Sequence, residues 1–276
     1  MKILTPESDI FKEVSDSLLN KFPIVNLVDI NYFSGEIPPN SIVVSDNLDP
    51  QQVVEAFGTR VKSHLVQYNK NFFNLDIETT AALIESPARY FENPGPVVLD
   101  QLCKSKVMNF NSANDKKNLM KDVELFLTEN VTGSIQDPAL RIIEELYMNA
   151  ILDAPAEAGK TDQTQVHLPS ESAQLTLCLS DVYLSITCKD TYGSLVPANL
   201  LRRLSQVYRE GAGSAMRMNS GRGAGIGCVL MFEQCSGLYF GVKKGIATVV
   251  SALIPYKLSS RQREEFKKSL HFIELT

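Results

Sequence analysis

The sequence predicts an α+β protein, and three observations predict it. Short apolar runs alternate with helical patterns through the first hundred residues. A strongly periodic helix follows near residue 140, and beyond it come two pairs of alternating apolar runs, each joined by a tight turn. The 276 residues, 44% of them hydrophobic, suffice for one large core or two ordinary ones. Twenty-seven Lys+Arg against 32 Asp+Glu leave a net charge of −5. That field has the wrong sign for non-specific binding to nucleic acid or to an anionic membrane.

The elements follow in order. Lys2–Leu4 is a short strand, and Glu7–Lys21 carries Ile10, Phe11, Val14, Leu18 and Leu19 at helical spacing. Ile24–Ile30 and Ile42–Val44 read as strands. Asp49-Pro50 caps a helix bearing Val53, Val54, Phe57 and Val61, because Asp accepts from free amides and Pro suits the first turn. A helix over Thr79–Phe91 is interrupted at Pro87, and Asn93-Pro94-Gly95-Pro96 marks a boundary. Two regions are expected, 1–100 as a small α/β domain and 101–276 as an α+β sandwich with a mixed, mostly antiparallel sheet. In the second, helices are expected over Ala113–Glu129 and Ala139–Leu152. Leu175–Leu179 and Val182–Cys188 alternate around a Ser180-Asp181 turn, and a last hairpin turns at Lys243-Lys244-Gly245. Ser259–Thr276 reads as a charged helix with an apolar tail, either a docking tail or an edge element.

Five scattered Cys with no C-x-x-C pair, and only His64, His167 and His271, give little material for disulfides or a zinc site. Pro6 and Glu7 come too early for a signal peptide, and no apolar run approaches the roughly 18 residues of a membrane span. The expectation is a reduced, cytoplasmic protein.

Three pieces could carry chemistry. Glu145 and Asn149 are one helical turn apart, on the face roughly opposite the stripe Leu140, Ile143, Leu146, Tyr147, Ala150 and Ile151. A carboxylate there can orient or deprotonate water, and a carboxamide oxygen can ligate Mg²⁺ beside phosphate. A solvated surface pair is the plainer alternative. Asp190 ends an apolar strand, where it can accept from an exocyclic amine or simply cap a turn. Gly221, Gly223, Gly225 and Gly227 open an apolar helix. Glycine lets a backbone approach phosphate closely at a helix N-terminus, or acts as a hinge. The spacing is neither a Rossmann fingerprint nor a P-loop.

In combination and in this order, these pieces resemble the GHKL ATPase superfamily of gyrase B subunits, heat-shock chaperones, sensor histidine kinases and MutL. Glu145-Leu-Tyr-Met-Asn149 is similar to its N-box, Asp190 with Gly193 to its G1 box, the glycine run to its G2 box, and Thr248 to its last nucleotide-contacting Thr. The resemblance covers residues 105–256. It implies a Bergerat-type sandwich binding Mg·ATP. Glu145 would handle water and Asn149 would hold Mg²⁺. Asp190 would bind the adenine amino group, directly and through a water shared with Thr248. Gly193 and the four run glycines would contact or close over the nucleotide, and Asp153, in the stretch after the N-box, joins the same set. Asn199–Ser220, with Arg202, Arg203, Arg209 and Arg217, would be the lid. One departure stands out: Tyr192 occupies the first Gly of the usual D-x-G-x-G pattern and Ser194 the second, so the Tyr192 ring either stacks on the base or obstructs it.

Residues 1–100 resemble a response-regulator receiver loosely. Asp46 follows a third strand, but Thr5-Pro6-Glu7 replaces the acidic pair, so a pseudo-receiver for docking or dimerisation is expected. His64 lacks the acidic neighbour of a phosphoacceptor His, and is read as a structural or surface residue. The expected function is a bacterial signalling switch with a protein partner, acting as an ATPase or an anti-sigma-type serine/threonine kinase. A nucleotide-free interaction module is the alternative. No nucleic acid or membrane span is expected, and a homodimer is open.

Overall fold

Ile42, Val43 and Val44 are apolar on both faces and fully buried, the pattern of an inner parallel strand. The computed structural model, which describes residues 1–99, 101–157, 173–211 and 226–275, places them in such a strand. β1 (Lys2–Ile3), β2 (Asn26–Asp29), β3 (Ser41–Ser45) and β4 (His64–Gln67) pair in parallel in that order. In a receiver the first strand lies between the second and the third; here β2 lies between β1 and β3.

The expected helix over Glu7–Lys21 is broken. A 3₁₀ turn (Asp9–Glu13) precedes α1 (Asp16–Lys21), whose start is fixed by the Ser15 hydroxyl accepting from Leu18 N–H at 3.3 Å. α2 (Pro50–Thr59) begins with a capping box: Asp49 accepts from Gln52 N–H at 2.8 Å, and the Gln52 side chain accepts from Asp49 N–H at 2.9 Å. α3 (Phe73–Glu85) and α4 (Ala88–Glu92) are separated at Pro87.

The remaining strands are β5 (Lys104–Phe110), β6 (Ala173–Leu179), β7 (Tyr183–Asp190), β8 (Gly237–Lys243), β9 (Ala247–Pro255) and β10 (Ser269–Leu275). The full sheet runs β1-β2-β3-β4-β10-β8-β9-β7-β6-β5. It is antiparallel from β8 to β5 and at β4–β10, and parallel elsewhere. The α+β class with a mixed sheet is therefore observed. The C-terminal stretch corrects an expectation: β10 is neither tail nor edge. It is an interior strand between β4 and β8, with Leu270, Phe272 and Ile273 buried. One sheet thus passes through both expected regions.

The second-half helices are α5 (Lys116–Asn130), α6 (Gly133–Met148), α7 (Ala154–Glu157), α8 (Pro197–Glu210), α9 (Ile226–Gln234) and α10 (Ser260–Glu264). α6 starts before Pro138, which lies inside it. A helical Pro leaves the carbonyl four residues back without its donor. That carbonyl belongs to Ser134, and Arg263 donates to it at 3.1 Å. On one face of the sheet α2, α5, α6, α8 and α9 share a single core that runs from Val53 and Phe57 to Leu146, Leu204 and Phe232. The other face is covered by α1 and α3 over the parallel strands, and by α4 with the following turn over β7, β8 and β9. Among the described residues no helix is long and apolar enough to cross a membrane.

Candidate functional site

The end of α6 does not stay α-helical. Asn149–Asp153 forms a π-turn, and Asn149 N–H is shared between the carbonyls of Glu145 and Leu146. Such a turn rotates the side chains that follow it and is common at functional sites. Here it brings Asn149, Ala150, Asp153 and Ala154 to one wall of a cavity of about 280 Å³. The opposite wall is sheet. β7 and β9 set Asp190 directly against Thr248, and Cys188 against Val250. Because strand side chains alternate, each pair two residues apart faces the same way. Val196, Asn199, Leu200 and Arg203 at the start of α8, with Cys228 and Met231 of α9, complete the enclosure.

Asp190 is 7% exposed. Burial pushes its carboxyl up to about 6, while the amides of Tyr192 and Gly193 and the Thr248 side chain and amide pull it partly back. The Tyr192 amide donates to Oδ1 at 2.8 Å. The Thr248 hydroxyl is close enough to lower the carboxyl, yet Oγ1 is buried without a partner of good hydrogen-bond geometry. A buried hydroxyl left this way costs free energy unless something in the cavity completes it.

Glu145 stands at the margin, not on the cavity wall. Its carboxyl is raised, chiefly by burial and less by the charge of Asp153, and is lowered by a hydrogen bond from the Asn149 side chain. It abuts the first turn of α9: a Cβ on Gly227 would lie 1.7 Å from Glu145 Cδ. A side chain at Gly227 would have to displace the Glu145 carboxylate.

The expected set is partly brought together. Asn149, Asp153, Asp190 and Thr248 line one cavity, and Glu145 and Gly227 touch at its edge. Gly193 has another task. Its φ is +57°, and a Cβ would lie 2.1 Å from the Lys243 carbonyl oxygen, because the residue packs against the β8–β9 turn. Gly193→Ala is expected to lower stability by about 2 kcal/mol, read as a fall in denaturation midpoint. Tyr192 is buried, and the residues lining the cavity leave it out, so its ring neither fills nor floors the space. Ser194 lines the cavity, and its hydroxyl donates to the Ala154 carbonyl at 3.0 Å. Of the expected lid arginines, Arg203 lines the cavity, whereas Arg202 and Arg209 lie on another face of α8. Gly221, Gly223, Gly225 and Arg217 lie outside the described residues.

The apolar walls were not singled out in the sequence, although period-two spacing from Asp190 and Thr248 points to Cys188 and Val250. Phe240, directly across β8–β9 from Val250, extends the same wall. The chain matches no protein-family model and no curated protein.

Proposed function

We propose that the chain binds an adenine nucleotide with Mg²⁺ in this cavity and works as a GHKL-type, histidine-kinase-like regulatory switch. The observation that carries the reading is the buried Thr248 hydroxyl, which stands beside the buried Asp190 carboxylate without good hydrogen-bond geometry toward it. An exocyclic amine donates to such a carboxylate, and a bridging water or ring nitrogen completes the hydroxyl. Val250, Phe240, Leu200 and Met231 offer the apolar walls that a flat purine needs.

Asn149 supplies a hard carboxamide oxygen of the kind Mg²⁺ accepts when phosphates provide most of its ligands. No group of three or more His, Cys, Asp or Glu suited to a metal occurs among the described residues, which fits a cation that arrives with the nucleotide. When bound, the cation would neutralise phosphate charge. Arg203 and Asn199 would meet the polar end of the ligand from α8. Glu145, with its carboxyl raised by burial, is suited to accept a proton from an attacking water or hydroxyl. Phosphotransfer to a protein partner, as in anti-sigma kinases, would use the same group. The parallel unit of β1–β4 would serve docking and not phosphoacceptance, since Thr5-Pro6-Glu7 stands after the first strand in place of the acidic pair that would hold Mg²⁺. A cytoplasmic signalling role with a protein partner, as monomer or homodimer, belongs to the same reading.

A second reading, nucleotide binding without turnover, is favoured by two contacts: Glu145 is held by Asn149 and lies against Gly227. Titration calorimetry with ATP and Mg²⁺ tests the first point. Wild type is expected to bind, and Asn149→Ala to weaken binding at least tenfold with Mg²⁺ and little without it. Phosphate release then separates the readings, because Glu145→Ala should leave binding intact and abolish any turnover. No binding by wild type would refute both.

A further inference from the structure

α8 has two working faces. Asn199, Leu200 and Arg203 line the cavity. Ala198, Leu201, Arg202, Ser205 and Arg209 lie on nearly the opposite side of the helix, as the 100° step per residue requires. They line a groove against Phe57 and Gly58 of α2. Arg209 pairs with Glu55 of α2 at 3.4 Å. Tyr208 donates to Glu233 of α9 at 2.6 Å, so the two helices that enclose the cavity are also tied to each other.

A second route joins the same two places. Phe57 packs on Phe272 of β10 with ring centroids 5.3 Å apart, and Phe272 stacks on Phe240 at 5.3 Å and 20°. Phe57 lines the groove, and Phe240 lines the cavity. Close-packed interiors transmit displacement because they hold few voids to absorb it.

We infer that α8 is a coupling helix between the N-terminal unit and the cavity: ligand in the cavity tightens α8 against α2, and altered packing at α2 changes the affinity of the cavity. The inference rests on the nucleotide reading above. Linkage makes the effect reciprocal, so it can be read from either end. A partner that docks on α2 would thereby tune nucleotide occupancy, and nucleotide would tune docking. Neither effect requires chemistry in the N-terminal unit.

Two measurements on the full chain test it. Amide exchange over residues 50–59 is expected to slow at least threefold when Mg·ATP saturates the protein. Gly58→Phe is expected to shift the Kd for Mg·ATP at least fivefold. Gly58 is exposed, and a Cβ there meets nothing within 4 Å, so the new ring enters the groove and not the core. Glu124→Phe, on the exposed face of α5, is the control and should leave Kd unchanged. If wild type binds Mg·ATP while exchange over 50–59 stays constant and Gly58→Phe stays within twofold, the coupling is wrong and the nucleotide reading survives. If wild type binds no nucleotide, both fall together.

Discussion

Asp190→Asn is expected to abolish detectable ATP binding and, in the same protein, to raise the thermal midpoint without ligand. The loss follows from chemistry. On the proposed reading the carboxylate accepts from the base amine, and a carboxamide can turn an N–H₂ toward it. Removing a charged acceptor from a buried site leaves the donor unpaired, which costs on the order of 3 kcal/mol, a factor of about 100 in Kd. The gain follows from burial. A carboxyl whose folded value lies near 6 against an ordinary 3.8 carries a penalty in the folded state at neutral pH. The shift corresponds to about 3 kcal/mol at most. The sign is definite: the folded form binds the proton more tightly, so its stability falls as pH rises from about 4 to about 6, and Asn removes that fall. ATP affinity runs the other way, because the amine needs the ionised acid. It should decline about tenfold per pH unit below pH 6 in wild type. Calorimetry for Kd and differential scanning for the midpoint check the two halves separately. A variant that binds normally would remove Asp190 from the site.

Much of this site was legible because it rests on local rules. Glu145 and Asn149 share a helical face by spacing alone, and Asp190 ends an alternating strand; its pairing with Thr248, where the end of β7 meets the start of antiparallel β9, was implied only by the family resemblance. What could not be read came from distant residues. The π-turn that swings Asp153 to the cavity leaves no periodic trace, since Asn149–Asp153 continues an apparently regular helix. Asp137-Pro138 reads locally as a helix cap, yet α6 begins four residues earlier, at Gly133. The helix extends past it, with Ile135 buried in the core and Arg263, far along the chain, donating to the Ser134 carbonyl. β4 is hidden in the sequence for a similar reason. His64 and Gln67 look like surface residues, and both are buried by β10, which the chain supplies two hundred residues later. The role of Gly193 was read from a motif, whereas the turn it packs against supplies the physical reason for a glycine.

That late pairing sets the other large expected effect. β4 and β10 align over only Leu270↔Leu65 and His271↔His64, and this short seam joins the parallel strands to the rest of the sheet. The two His rings meet there, Nδ1 to Nδ1 at 3.2 Å, and His271 stacks on Tyr239 at 4.0 Å and 7°. His271 Nε2 is buried without a partner. One ring must donate and the other accept, so the pair cannot hold two positive charges. Burial lowers His64 to about 4 and His271 well below its ordinary value, the latter also through His64. Below pH 6.5 the unfolded chain takes up protons that the folded chain refuses, so these residues withdraw stability progressively from pH 6.5 to about 4. His64 alone accounts for about 3 kcal/mol. Three acids oppose this, because each binds its proton more tightly when folded: Asp76, partly exposed but closely surrounded and raised to about 7, Asp190, and Glu145, raised chiefly by burial. The wild-type curve is therefore a difference, and a variant isolates the histidines. His64→Leu combined with His271→Phe keeps the stack on Tyr239 and removes both titrations. Urea unfolding between pH 7 and pH 4 should show wild type losing at least about 3 kcal/mol relative to the double variant. Amide exchange at Leu65 and Leu270 should quicken before exchange elsewhere in the sheet. Parallel pH curves for the two proteins would mean that the seam is wet or the rings are not paired, and the acid-sensitive joint would have to be abandoned.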